Sequence, residues 1–143
     1  MNFILELIAT LSASLFCGAS IYINLVEHPA RVSCGTALAV TEFVPSYKRA
    51  AVLQVSLAAI SFLTSLIAWL MNSGTNWLIG SILIIMVIPF TAFFMLPTNK
   101  MLLDNSLNKD SELAKNLLAR WGRLHTVRSV LSLIAVLIFL LSI

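Results

Sequence analysis

Charged side chains are scarce in this chain: they make up 10% of its 143 residues, against 59% hydrophobic ones. That balance excludes a soluble globular domain, in which about a quarter of the residues are charged, and requires lipid around the fold. Glycine and proline are also few, five and four, so there is no flexible linker, repeat or low-complexity tract and the chain reads as one domain. The two cysteines, Cys17 and Cys34, form no Cys-x-x-Cys pair. Along a helix rising about 1.5 Å per residue they are also too far apart to bridge easily, which argues against a thiol-disulfide oxidoreductase.

What is present is four long apolar runs, roughly residues 3–26, 50–71, 77–96 and 127–143. Each is close to the ~20 residues that cross ~30 Å of hydrocarbon as a helix. Their apolar character is continuous rather than alternating, so they are helices and not barrel strands. The first run lacks a basic leader and a clear small-residue cleavage site and carries Glu6 near its start, so it is read as a retained span. The expected fold is an all-α, four-transmembrane-helix bundle.

The basic residues fall on one side. Segment 27–49 holds Arg31, Lys48 and Arg49, and segment 97–124 holds Lys100, Lys109, Lys115, Arg120 and Arg123. The N-terminus, the short Asn72-Ser73-Gly74-Thr75 turn and the C-terminus carry no Lys or Arg. The positive-inside rule then puts segments 27–49 and 97–124 in the cytoplasm and both termini outside, in the plasma (inner) membrane if the source is bacterial. Topology accounts for the net charge of +3, and no nucleic-acid partner is implied. The expected surroundings are the lipid bilayer, with homo-oligomerisation left open.

Small residues at helical spacing, Ala51, Ala58, Ser61, Ser65 and Ala68 on the second span and Ala9, Ala13 and Cys17 on the first, predict close helix contact. Ser111 before Glu112, followed by leucines at 113, 117, 118 and 124, predicts that the fourth helix starts well before the membrane. Residues 35–47 extend the second helix in the same way, with Pro45 marking a kink or break. Helices two and four are thus expected to project on the cytoplasmic side. Pro97 is expected to stop the third helix.

Polar side chains concentrate at three helix ends on that side. Asn24, Glu27, His28 and Arg31 share one α-helical face. Trp121, His125 and Arg128 share another at i, i+4, i+7, and Arg128 lies inside an apolar run, where a charge facing lipid costs up to ~2.5–3.5 kcal/mol on insertion scales. Asn99 closes the third span. The expected site is therefore Glu27, His28, Arg31, Asn99, His125 and Arg128 around one cavity, with Tyr47 and Gln54 completing it. Plain structural roles compete: Arg31 and Lys100 as interfacial anchors, Trp121 as a belt aromatic, Asn99 as a cap, and Glu27 with Arg128 as a salt bridge between helices one and four.

Three of these motifs, Glu27-His28-Pro29-Ala30-Arg31, Leu96-Pro97-Thr98-Asn99 and Trp121-x-x-x-His125-x-x-Arg128, give the chain its resemblance to small four-helix membrane proteins related to fungal anthrone oxygenases. The resemblance implies oxygenation of an activated methylene in a hydrophobic phenolic or anthrone-like molecule by O2. Two mechanisms suit the residues. In one, His125 or His28 removes a benzylic proton while Arg128 and Asn99 stabilise the oxyanion, with no cofactor beyond O2. In the other, Glu27, His28 and His125 bind a copper or non-haem iron ion. The rival class is a non-catalytic membrane protein, an ion or metal binder, transporter accessory or assembly factor, whose polar cluster fixes helix packing.

Overall fold

The computed structural model describes residues 2–143, which form four helices: α1 (Asn2–Ser33), α2 (Thr36–Leu70), α3 (Thr75–Leu103) and α4 (Glu112–Leu140). All four are long and apolar enough to cross a membrane, and among the described residues there is no strand. With no water in the hydrocarbon, each span must satisfy its own backbone N–H and C=O groups, which a helix does. Each helix packs against its sequence neighbours, and α4 closes the ring against α1. Unlike a soluble bundle, this one is apolar on its outer surface as well as in its core, with Leu25, Val52 and Phe93 at least 70% exposed.

All four helices, and not only the second and fourth, exceed the length needed to span. At 29 to 35 residues and ~1.5 Å per residue they reach ~44–52 Å. The α1–α2 connection shrinks to Cys34 and Gly35, and Gly35 has φ +97°, a left-handed conformation that a side chain would oppose. Pro45 does not break α2, which runs through it. Pro97 does not stop α3 either. It stands near the start of a last α-helical stretch, Leu96–Leu103, directly after the π-helical turn Thr91–Met95, whose wider course accommodates the ring. The predicted start of α4 is borne out: the Ser111 hydroxyl accepts the Ala114 N–H at 3.1 Å.

The half of the bundle next to the Met71–Gly74 turn is tightly filled. Ala9, Ala13, Ala58 and Ala68 are fully buried, and the Ser61 hydroxyl donates to the Ala9 carbonyl at 2.9 Å. Trp77 stacks on Phe139 with ring centroids 5.0 Å apart. Gly80 lets that phenyl ring in, because a Cβ there would come within 2.3 Å of it. Of the predicted small-residue stripe, Ala51 alone is only half-buried, and it lines a cavity that Ala58 also borders.

Candidate functional site

The opposite half holds a cavity of about 260 Å³, near the lower end of small-molecule pockets at ~300 Å³. Its floor is Phe16, Ala58 and Val87, and its mouth is Glu27, Arg31 and Ser46. Trp121, His125 and Arg128 all line it, as their shared helical face predicts. Tyr47 and Gln54 line it from α2.

α1 does not present its polar residues on one side. Residues Ile23–Glu27 form a π-helical turn, which takes about one residue more than an α turn and rotates the rest of the helix about its axis. Glu27 and Arg31 reach the cavity, Asn24 turns to α4, and His28 lies behind Trp121. The His28 ring packs on the Trp121 indole at 5.1 Å and occupies the space that a Cβ on Gly122 would need. His28 is thus a backing residue and not a cavity wall. Asn99 is also outside the lining; its Nδ2 donates to the Tyr47 hydroxyl at 3.1 Å.

The His125 ring is held by Asn24 of α1 and Trp121 of α4, and Asn24 is itself fixed by α4. Asn24 Nδ2 donates to the Gly122 carbonyl at 3.3 Å and to Thr126 Oγ1 at 3.1 Å. Since a carbonyl only accepts, Asn24 Oδ1 must face the other way, where it accepts from the Ser129 hydroxyl at 2.5 Å and meets His125 Nδ1 at 2.8 Å. Nδ1 therefore carries a proton, and Nε2 has no hydrogen-bond partner among the described residues. The ring also stacks on Trp121 at 4.7 Å.

The two arginines differ. Arg31 is paired with Glu27 and with Glu42, bonds Ser46 Oγ at 3.1 Å, and its guanidinium lies 5.9 Å from the Trp121 ring centroid. Arg128 has no carboxylate partner among the described residues. It donates to Gln54 Oε1 at 2.6 Å and lies 5.6 Å from the Phe16 ring centroid, while its Nε is buried without a partner. The expected Glu27–Arg128 salt bridge is not formed, because Glu27 is taken by Arg31 and Ser46 on its own side of the mouth.

The expected Glu27–His28–His125 metal set is not assembled either. Among the described residues no three His, Cys, Asp or Glu side chains converge as ligands. Glu27 is occupied at the mouth, and both imidazoles pack against Trp121 rather than toward that carboxylate. Glu42, Ser46 and Ser129 are polar partners that sequence reasoning missed, and it places Asn24 only on a polar face. Asn24 in an apolar run was a usable signal; the other three carried none.

This is a four-helix integral membrane protein with a cavity that joins an apolar floor to a buried arginine and a buried histidine. The family model for anthrone oxygenase matches residues 43–138, more than half of the chain, and the protein belongs to that family. The matched region includes Asn99, His125 and Arg128 and begins after the Glu27–Arg31 motif. No curated protein and no solved structure matches the chain.

Proposed function

We propose that this protein is a membrane-embedded oxygenase that converts an activated methylene of a hydrophobic phenolic or anthrone-like molecule to a carbonyl, using O2. One observation carries the reading: Arg128, a permanent cation without an acid partner, and His125, whose Nε2 is free, line the same cavity. Removing a proton next to an aromatic carbonyl creates an oxyanion, and that anion is the charge Arg128 lacks.

In the proposed reaction His125 Nε2 takes one C–H proton and the substrate oxygen settles against Arg128. The electron pair left on carbon passes to O2 in one-electron steps and forms the C–O bond. His125 returns its proton to the resulting peroxide. Loss of the second C–H proton with cleavage of the O–O bond then gives the carbonyl and water, so that one methylene and one O2 become one carbonyl and one H2O. Asn24 and Ser129 hold the imidazole, and Asn99 holds the Tyr47 hydroxyl; these are positioning roles. With the basic connections in the cytoplasm, the Glu27–Arg31–Ser46 end of the cavity faces that side.

The test is oxygen uptake by the purified protein in vesicles supplied with anthrone. His125→Ala is expected to lower the rate ~10²–10⁴-fold while helicity and melting temperature stay close to those of the unsubstituted protein. Uptake that survives the substitution, or is lost only together with the fold, favours the rival reading in which the Asn24–His125–Ser129 cluster simply clamps α1 to α4. Reporter fusions at both termini check the orientation, and cytoplasmic signals from them would reverse it.

A further inference from the structure

Resting on that reading, we propose that the ligand reaches the cavity sideways from the bilayer, through an apolar slot between α2 and α3, and is an aromatic weak acid that crosses it uncharged. α2 packs on α3 along Thr75–Ile85 and again along Leu96–Leu103, but the two part at Val87–Met95. That is where α3 departs from regular helix, with a break at Met86 and the π turn Thr91–Met95. The slot is framed by Ala51 and Val55 on one side and Ile88, Thr91 and Ala92 on the other, all of which line the cavity. Val55 is 52% exposed, Ala92 is exposed as well, and the Thr91 hydroxyl is bonded to the Val87 carbonyl of its own helix at 2.7 Å. No charge and no free polar group stands in the way.

The aqueous side is built in the opposite manner. Arg31 ties Glu27 of α1 to Ser46 and Glu42 of α2, which draws an ionic latch across the mouth. An ion arriving from water would have to part this network, whereas a neutral molecule in lipid meets only methyl groups. At the inner end stand Arg128, His125 and the indole of Trp121. A compound that dissolves in hydrocarbon as an acid and becomes an anion once inside satisfies both environments. A permanent anion satisfies only the second, and an aliphatic acid would leave the aromatic wall unused.

Slot-filling variants test this. The protein carrying Trp69→Phe and Trp77→Phe, so that Trp121 alone reports, is reconstituted in vesicles under argon to separate binding from turnover. Anthrone is delivered in a second population of vesicles and Trp121 quenching is followed in time. Ala51→Phe with Ala92→Phe is expected to slow association about tenfold or more, while Val52→Phe on the open lipid face leaves it unchanged. A sulfonated anthrone added to the water is expected not to compete. Association that is indifferent to the filled slot, or competition by the sulfonate equal to that of anthrone itself, overturns lateral access. Stronger competition by oleate than by anthrone overturns the aromatic class. If the filled-slot variant is misfolded by circular dichroism, Val55→Leu alone carries the test, with slowing expected and an unchanged rate overturning the proposal. Failure of anthrone to bind the unsubstituted protein at all would instead remove the reading on which this inference rests.

Discussion

The two halves of the bundle solve the same packing problem in opposite ways. Next to the Met71–Gly74 turn the helices touch through alanine, serine and glycine, and even the large Trp77–Phe139 pair is accommodated by the missing side chain of Gly80. At the other end Phe43, Tyr47 and Trp121 hold the helices apart, and each of α1 and α3 spends a π turn beside the resulting space. Small residues produce contact in lipid because they let backbones approach, while aromatic walls and irregular turns keep a cavity open. Close packing and the cavity thereby occupy different ends of the same four helices.

That division can be broken from either side. Beyond His125 itself, the largest effect is expected at Arg128→Met, which removes the oxyanion partner and should cut anthrone-dependent oxygen uptake ~10²–10³-fold. Its melting temperature should hold or rise, because a buried cation without an acid gives way to a methionine. Activity lost together with stability would contradict the proposed role. In the tight half, Gly80→Leu drives a side chain into the Phe139 ring and should cost about 1–3 kcal/mol in a denaturant titration of the folded bundle. An unaffected titration would mean that the two helices have room to spread. Asn24→Leu removes the acceptor that orients His125 and should lower kcat about tenfold with KM unchanged. Equal changes in both constants would point to a disturbed cavity rather than a misaligned imidazole. The smallest effect belongs to His28→Phe, which keeps a ring against Trp121 and Gly122 outside the lining; oxygen uptake should stay within about threefold and stability within ~1.5 kcal/mol. A loss as large as that of the Arg128 variant would return His28 to the catalytic set.

Much of this was legible in the residues. Hydropathy defined four spans, Ser111 marked the start of α4, and the heptad-like spacing of Trp121, His125 and Arg128 set all three in one wall, because α4 is regular throughout. α1 and α3 were harder, since a period of 3.6 assumes a helix without interruption. The π turn at Ile23–Glu27 separated Asn24, Glu27 and His28, which an unbroken α-helix would have aligned. The turn at Thr91–Met95 let α3 run past Pro97 and buried Asn99 inside a helix instead of exposing it at an end. Pairings across helices were beyond sequence altogether. Glu27 pairs with Arg31 one turn on in its own helix, as helical spacing allows, but its bond to Ser46 of α2 in place of Arg128 is a matter of tertiary geometry.

The solitary guanidinium of Arg128 makes occupancy and folding one equilibrium. A ligand that binds the native bundle and ignores the unfolded chain, present at about a hundred times its dissociation constant, adds ~2.7 kcal/mol to the native state. Acidic lipophiles should therefore act as pharmacological chaperones for this membrane protein, raising its yield in detergent, and a screen for thermal protection is a direct route to its physiological substrate.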